Sequence, residues 1–426
     1  MSELSYLEKL LDGVEVEWRT LGEIAVIYDG THKTPKYTAS GVPFVSVQNI
    51  KNLYGTNKYI SPEDFKTYKN KPRKHDLFMT RIGDVGTCAI VEDDRPLAYY
   101  VTLALIRINQ QIAVPGFIRY LIESRFGKAE LYKRTLIHAV PMKINLGEIG
   151  KVAVPIPCPD NPEKSLAIQS EIVRILDKFT ALTAELTAEL TAELNMRKKQ
   201  YNYYRDQLLS FDEEQEKPIY LEKLLDGVKV EWKTLEKVLK RTKGTKITAG
   251  QMKALHKDNA PLKIFAGGKT VAFVDFKDIP EKDINREPSI IVKSRGIIEF
   301  EYYDKPFSHK NEMWSYHSNN DAISIKYIYY FLKINEGYFQ KIGGKMQMPQ
   351  IATPDTDKFE VPIPCPDNPE KSLAIQSEIV RILDKFDTLT NSITEGLPRE
   401  IELRQKQYEY YRDLLFSFPK PETVSN

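Results

Sequence analysis

The stretch VPIPCPDNPEKSLAIQSEIVRILDKF, residues 154–179, returns without a single change at residues 361–386. Each copy opens with a proline-rich segment that cannot continue a helix. Ser165 and its counterpart Ser372 are then suitable N-cap residues ahead of an apolar period typical of a helix. The duplicated stretch therefore predicts that a long helix begins in each half of the chain.

Other segments are repeated as well, and they frame two long inserts. Residues 6–21 are matched by 220–235, and residues 199–211 by 406–418, whereas the inserts at 22–151 and 236–358 do not match by eye. Faint similarities inside the inserts pair Arg81 with Arg295 and Phe117 with Ser324. We interpret the inserts as one fold that carries two different surfaces.

The apolar stripe that follows each duplicated stretch predicts long helices. In the first copy it runs from Ile172 to Leu208, and a helix over residues 165–210 would be about 69 Å long. In the second copy Gly396 and Pro398 interrupt it, so we expect a kink or break there. Such helices are most simply buried against each other. An antiparallel pair would place the inserts at opposite ends, related by a pseudo-two-fold axis.

Residues 183–194 read TAELTAELTAEL, three copies of one four-residue unit. One interpretation is a run of good helix formers that changes length by replication slippage. The other is a ruler, because four residues advance a helix by about 6 Å and turn it by about 40°, and one base pair of B-DNA advances about 3.4 Å and turns roughly 35°. Adding one unit would then move an insert by one base pair and keep its face on the groove.

The composition predicts a globular protein with two cores. A chain of 426 residues, 42% hydrophobic and 28% charged, is too long for one typical core. Its formal charge of +2 hides a basic stretch at residues 237–269, so partners must be inferred from patches. No run of 18 apolar residues and no secretory signal is recognisable. We expect a cytoplasmic protein without a membrane partner.

With these repeats the chain closely resembles the specificity subunit of Type I restriction-modification enzymes, in particular the IC family. The resemblance covers the whole chain and rests on the duplicated segments, the TAEL units and the ending LPREIELRQKQYEYYRDLLFSFPKPETVSN. It implies that each insert is a target recognition domain, which reads one half of a bipartite, asymmetric DNA site through the major groove. In this family, three TAEL units accompany a spacer one base pair longer than two units do.

The same resemblance implies partners and an overall architecture. Two modification subunits would use S-adenosylmethionine to methylate adenine at N6, and restriction subunits would use ATP and magnesium. The expected fold class is α+β, with two globular α/β recognition domains separated by a coiled coil of long antiparallel helices. We expect the first domain with its leader at residues 1–153, the central helix region at 154–215, the second domain at 216–360 and the second spacer helix at 361–426.

No catalytic or metal-binding constellation is recognisable in the sequence. Residues 267–270, GGKT, resemble the end of a P-loop, but Lys263 stands where that pattern requires glycine. The six histidines are scattered without ligand spacing. We therefore expect a non-catalytic chain that binds no cofactor or metal itself. The alternatives are a protein-binding coiled-coil scaffold without DNA specificity and a DNA-modifying enzyme in its own right.

Basic loops recur at equivalent places in the two inserts and indicate contact with double-stranded DNA. The candidate DNA-binding residues are Lys33, Lys36, Tyr37, Gln48, Asn49, Lys71, Arg73, Lys74 and Arg81 in the first insert, and Lys240, Arg241, Lys243, Lys246, Lys269, Arg295 and Asn311 in the second. Arg81 and Arg295 follow apolar strands, and arginine suits a bidentate contact to guanine. The alternative for both is an arginine that forms a salt bridge in a domain core.

The duplicated helix offers one surface twice, so one chain can hold two copies of a partner. The candidate partner-binding residues occupy equal positions in the two copies: Gln169, Arg174 and Asp177, then Gln376, Arg381 and Asp384. The alternative is that these side chains are the solvated side of an amphipathic helix.

Overall fold

The computed structural model describes residues 6–211, 219–344, 347–392 and 394–419. The chain divides into two compact units. Unit 1 comprises Met1–Leu190 and Glu400–Asn426, and unit 2 comprises Thr191–Arg399. Each unit therefore combines one insert with segments from both of the long helical regions.

The elements of the first half are α1 Tyr6–Leu11, β1 Val16–Thr20, α2 Leu21–Ile24, β2 Ala25–Asp29, β3 Val42–Val45, β4 Tyr59–Ile60, α3 Pro62–Lys66, β5 Leu77–Thr80, β6 Cys88–Ile90, β7 Ala98–Tyr99, β8 Leu103–Ile108, α4 Pro115–Glu123, α5 Arg125–Tyr132, α6 Leu146–Gly150, β9 Ala153–Pro157 and α7 Pro162–Leu208.

The elements of the second half are α8 Ile219–Leu225, β10 Val230–Thr234, α9 Leu235–Val238, β11 Lys240–Lys243, α10 Ala249–Leu255, β12 Leu262–Phe265, β13 Val271–Val274, β14 Ser289–Lys293, β15 Glu299–Tyr303, β16 Phe307–His309, β17 Trp314–His317, α11 Ile325–Ile334, α12 Glu336–Gly343, α13 Thr353–Asp357, β18 Glu360–Pro364, α14 Pro369–Asn391 and α15 Leu397–Leu415.

The two inserts have the same sheet topology. In unit 1 a four-stranded antiparallel sheet has the order β2-β8-β5-β6, and a three-stranded sheet has the order β4-β3-β7 with β3 and β7 parallel. In unit 2 the corresponding orders are β11-β17-β14-β15 and β13-β12-β16, with β12 and β16 parallel. The prediction that both inserts share one fold is confirmed for the described residues.

The duplicated segments pair with each other and close each insert. β1 runs antiparallel to β9 with Trp18 opposite Pro155, and β10 runs antiparallel to β18 with Trp232 opposite Pro362. Each of these sheets has only two strands, so every strand has one edge without a partner. Proline, which has no backbone N–H, is tolerated where that N–H would face the unpaired edge. The leader and the start of the duplicated stretch thus form one frame around each variable insert.

The long helices begin slightly earlier than the sequence predicts. Asn161 accepts a hydrogen bond from the backbone N–H of Lys164 at 3.0 Å, and Pro162 occupies the first helical position, where its missing N–H costs nothing. The same arrangement occurs at the start of α14. Ser165 and Ser372 are buried inside the first turns, so the prediction that they are N-caps is wrong.

The break predicted in the second helical region is confirmed. α14 ends at Asn391 and α15 begins at Leu397. Gly396 has a φ of +82°, and a Cβ at this position would lie 2.4 Å from the carbonyl oxygen of Thr388. Glycine is therefore required at this turn.

Antiparallel helix packing occurs inside each unit. In unit 1 Phe179 of α7 stacks on Tyr411 of α15 with ring centroids 5.5 Å apart, and the next residue, Thr180, donates a hydrogen bond to the Tyr408 hydroxyl at 3.1 Å. The partner residue number falls as the α7 number rises, which identifies an antiparallel pair. In unit 2 Tyr204 of α7 stacks on Phe386 of α14 at 5.6 Å.

The three TAEL units lie within α7, as the sequence predicts. No helix among the described residues combines the length and the apolar character that a membrane span requires.

Candidate nucleic-acid interface

In unit 1 the end of β2 opens into a cleft with lysines in its wall. Gly30 follows the strand, and a Cβ at this position would lie 2.4 Å from the carbonyl carbon of Tyr100, so glycine is needed for the two backbones to approach. Thr31 then pairs with Tyr100, and the loop continues along the cleft. We call this the first cleft; its lining residues include Lys33, Lys36, Asp64, Tyr68, Lys69 and Asn70.

Unit 2 has a cleft at the same point of the same sheet, after β11. A Cβ at Gly244 would lie 2.3 Å from the carbonyl oxygen of Lys310, and Thr245 pairs with Lys310 as Thr31 pairs with Tyr100. The same glycine-threonine dipeptide therefore stands at the start of the loop that lines each cleft. The lining residues of this second cleft include Lys243, Lys246, Gln251, Lys282 and Asn311.

The walls of both clefts favour an anion. Lysine contributes a flexible point charge suited to phosphate, which positions a duplex without reading its sequence. The two walls have the same charge balance but otherwise different residues. The cations are Lys33, Lys36 and Lys69 against Asp29 and Asp64 in the first cleft, and Lys243, Lys246 and Lys282 against Asp278 and Asp283 in the second.

Arg81 is a structural residue and does not present its guanidinium to DNA. Its Nη1 donates to the Asp29 carboxylate at 3.2 Å and to the Val101 carbonyl at 2.9 Å, and its Nε donates to the Ile144 carbonyl at 3.4 Å. The residue is only 7% exposed. The prediction that Arg81 reads guanine is therefore wrong, because the residue is buried and its Nε and Nη1 atoms donate to groups inside the fold. The alternative, a salt bridge in the domain, is the correct one.

Arg295 is not the structural counterpart of Arg81. The backbone N–H of Gly83 donates to the Met142 carbonyl, and that of Gly296 donates to the Pro349 carbonyl at the equivalent place in unit 2. The residue before each glycine is therefore equivalent, and Ile82 is in register with Arg295. The pairing of the two arginines in the sequence alignment is wrong by one residue, since the second insert has one residue fewer before its glycine.

Arg295 lies at the surface, where its Nε donates to the Gln350 side chain at 3.0 Å. Its hydrogen-bond partner is a neutral amide, and the nearby Glu312 carboxylate interacts electrostatically with the guanidinium. Arg295 therefore stays a candidate for contact with DNA.

The remaining candidates of the first insert are spread over several loops. Tyr37 is 41% exposed and packs on the edge of the Phe44 ring. Gln48 is exposed, whereas Asn49 is half-buried and its Oδ1 accepts a hydrogen bond from the Ser46 N–H at 3.2 Å. Asn49 thus uses one amide oxygen to cap a short turn. Lys71 lies over the Phe65 ring at 4.9 Å, and Arg73 and Lys74 are exposed.

In the second insert the structure gathers only some of the candidates. Lys243, Lys246 and Asn311 line the second cleft together. Lys240 and Arg241 line a different depression, where Arg241 forms an ion pair with Asp357 at 3.2 Å. Lys269 is exposed on the turn between β12 and β13.

A hairpin at residues 135–144 was missed by the sequence reasoning. The backbone N–H of Leu136 donates to the Lys143 carbonyl at 2.8 Å, and Val140 at the tip is 99% exposed. Arg81 bonds both to the base of this hairpin and to the wall of the first cleft, so the two lie at one edge of the sheet. Ile137 and Met142 are further exposed apolar residues of this hairpin. In unit 2, Ile297 and Met348 are exposed apolar residues beside the paired residues Arg295 and Gln350. The run LIHAVPM between basic residues was the available signal.

His309 forms part of the support behind the second cleft. Its carbonyl accepts the Thr245 N–H at 2.8 Å, and its Nε2 lies 3.1 Å from the Ser315 hydroxyl. Burial lowers the pKa of His309 to about 4, so the ring is neutral at pH 7.

The duplicated helices present fewer polar residues than predicted. Gln169 and Gln376 are fully buried, and each amide forms three hydrogen bonds within its own unit. The prediction that they face a partner is wrong, because neither amide reaches the surface. Asp177 is exposed and Asp384 is half-buried, and each accepts a hydrogen bond from a tyrosine of its own unit. These carboxylates contribute to packing and stay candidates for contact with a partner.

Arg174 and Arg381 lie on the surface in both copies. Arg174 forms two hydrogen bonds of 2.6 Å to Glu171, and Arg381 forms the same pair with Glu378 at 2.6 and 2.7 Å. These hydrogen bonds lower the pKa of Glu171 and of Glu378. An exposed ion pair of the same geometry is thus present on each unit.

Known proteins match this chain over its whole length. The model of the Type I restriction modification DNA specificity domain matches residues 13–196 and again residues 229–403. The Escherichia coli Type I restriction enzyme EcoR124I/EcoR124II specificity subunit is 41% identical over 463 aligned positions, with all of both chains covered. The E. coli EcoprrI specificity subunit is 35% identical, with 93% of each chain covered.

A solved structure supports the fold. It comes from work on complex assembly and conformational transition of the type I R-M system, and it shares 15% sequence identity with this chain. The TM-score is 0.59, with 94% of this chain and 97% of the other covered. Together with the double domain match and the full-length relatives, these findings lead to one conclusion: the chain belongs to the family of Type I restriction-modification specificity subunits.

Proposed function

We propose that each unit reads one half of a bipartite, asymmetric DNA site through the major groove. The observation that carries this proposal is the pair of equivalent clefts. The same glycine-threonine dipeptide stands at the start of both, each wall has an excess of lysine, and the other lining residues differ. Equal placement suits two similar contacts with the phosphate backbone, and different linings suit two different half-sites.

The exposed apolar hairpin completes this proposed surface in unit 1. Val140 and its neighbours lie at the sheet edge that also forms the first cleft. Apolar side chains beside cations can contact thymine methyl groups or sugars, while the cations hold the phosphates.

The proposed partners are two modification subunits, with restriction subunits in the full complex. The repeated exposed ion pairs, Arg174 with Glu171 and Arg381 with Glu378, support two equal docking sites on one chain. By resemblance to the family, the modification subunits would use S-adenosylmethionine to methylate adenine at N6, and the restriction subunits would use ATP and magnesium. The cytoplasm, where cellular DNA is accessible, is the proposed compartment.

The TAEL units are proposed to set the spacer between the half-sites, as in the IC family. They lie in a continuous helix, so each unit of four residues adds about 6 Å and about 40°. This rotation is close to that of one base pair, so the same face of a recognition domain would stay on the groove.

The test is to assemble the chain with its modification subunit and map the methylated adenines on genomic DNA. We expect two short conserved sequences separated by a fixed, unspecified gap, and no methylation of duplexes that lack one half. Methylation without sequence preference would overturn the proposal and favour a scaffold. Cleavage or methylation of DNA by the purified chain alone would instead identify an enzyme.

A further inference from the structure

A buried glutamine joins the long helix of unit 1 to its recognition domain. The Gln169 Oε1 accepts the backbone N–H of Val114 at 2.9 Å, and its Nε2 donates to the Ile112 carbonyl at 3.0 Å and to the Ser165 hydroxyl at 3.2 Å. The side chain is completely excluded from solvent. Its amide therefore satisfies two backbone groups of the half-buried residues immediately before α4.

Unit 2 repeats this arrangement with different residues in the insert. The Gln376 Oε1 accepts the backbone N–H of Ser324 at 2.9 Å, and its Nε2 donates to the Ala322 carbonyl at 3.0 Å and to the Ser372 hydroxyl at 3.0 Å. This side chain is also fully buried. The two glutamine contacts agree within 0.2 Å although the inserts have different sequences.

The contact is made to the backbone of the insert and not to its side chains. Valine in one insert and serine in the other supply the same N–H. This places Val114 in register with Ser324, so the sequence pairing of Phe117 with Ser324 is wrong by three residues. Because a backbone amide is common to all sequences, the helix can hold inserts whose surfaces differ.

A second contact fixes the direction of the same helix. Tyr120 donates to the Asp177 carboxylate at 2.7 Å in unit 1, and Tyr330 donates to the Asp384 carboxylate at 2.6 Å in unit 2. In both units the tyrosine lies six residues after the residue held by glutamine, and the aspartate lies eight residues after the glutamine. Eight helical residues span about 12 Å, so the glutamine contact and the aspartate contact are about 12 Å apart along the helix. Each contact therefore resists rotation of the recognition domain about the other.

We propose that Gln169 and Gln376 are positioning residues that set the angle of each recognition domain on its helix, and thereby the place on DNA where each half-site is read. This inference rests on the proposed function. One base pair corresponds to about 3.4 Å, so a domain that rocks on its helix accepts a neighbouring register. Loss of the glutamine therefore relaxes the spacer length and leaves the sequence of each half-site unchanged.

The experiment uses the full chain assembled with its modification subunit. Gln169→Met and Gln376→Met keep side-chain length and remove the hydrogen bonds. Methylation rates are measured on duplexes with the natural spacer and with spacers one base pair shorter and longer. We expect the preference for the natural spacer to fall about tenfold or more in each variant, because a buried amide and its hydrogen bonds to two backbone groups are lost. Ser170→Ala and Ser377→Ala change exposed neighbours on the same helices and serve as matched controls.

A merely structural role predicts a different result. Loss of folded protein lowers the rates on all spacers equally, and their ratio then stays at the parental value, which would overturn the inference. If a methionine variant does not assemble, Tyr330→Phe removes the hydrogen bond to Asp384, and Tyr120→Phe removes the hydrogen bonds to Asp177 and Thr180. Both variants are judged by the same ratio. A parental complex that methylates without a bipartite requirement would refute the proposed function itself, before the variants are compared.

Discussion

The lysines of the first cleft offer a quantitative test of DNA contact. Replacing Lys33 and Lys36 together by glutamine removes two positive charges from one wall without disturbing a described ion pair. If each lysine neutralises one phosphate, the slope of log K against log salt becomes smaller by about 0.9 per lysine, or about 1.8 in total. Over a fourfold rise in salt, the parental complex then loses about tenfold more affinity than the variant does.

The assay is fluorescence anisotropy of a labelled cognate duplex, titrated with the assembled complex at several salt concentrations. Lys164→Gln with Lys178→Gln is the matched control, since both lysines are exposed on α7 and line neither cleft. Lys243→Gln with Lys246→Gln tests the second cleft and is expected to give the same change of slope. A double variant with the parental slope would show that the first cleft does not hold the phosphate backbone.

Three further results are expected. Arg81→Met leaves the Asp29 carboxylate and two carbonyls without their donor, and we expect thermal denaturation to show a free energy of unfolding lower by about 3 kcal/mol. Arg295→Met should change the free energy of unfolding by under about 0.5 kcal/mol and weaken DNA binding. Equal stability losses in the two variants would contradict this assignment. Because the pKa of His309 is lower in the folded state than the usual 6.5, its contribution to stability is fully present above pH 6.5, and the free energy of unfolding falls by up to about 3 kcal/mol as the pH drops to about 4. Urea unfolding at several pH values should show a smaller fall for His309→Phe. An unchanged fall would refute the role of His309 in the pH dependence. Deleting residues 191–194 should shorten the spacer by one base pair in methylation maps, and an altered half-site would contradict the ruler.

The frame of this protein could be predicted from its sequence because the frame is duplicated. Identical segments must adopt similar structures, so the long helices and the shared fold of the inserts followed directly. The break at Gly396 followed from backbone chemistry. The N-caps were misplaced by four residues, because Asn161 and Asn368, and not Ser165 and Ser372, cap the two helices. Boundaries of this kind depend on which of two capping residues the chain uses.

The candidate site was harder to predict, because an exposed polar residue and a buried, satisfied one look alike in a sequence. Gln169 lies three residues before Ile172 and seven before Leu176, on the face that is buried. That spacing was a usable signal. For Arg81 no comparable signal existed, since its partners come from three distant segments that only the fold brings together.

The packing of α15 also has a consequence for synthesis on the ribosome. Phe416 and Phe418 contact Phe117 with ring centroids 5.2 and 6.0 Å apart, and the Trp18 indole donates to the Pro419 carbonyl at 2.8 Å. At a translation rate of about 5–20 residues per second, Phe416 and Phe418 are synthesised on the order of 15–60 s after Phe117. The N-terminal core is therefore incomplete during that interval. A premature stop shortly before the end would thus damage the half of the protein that was translated first, and leave the later half complete.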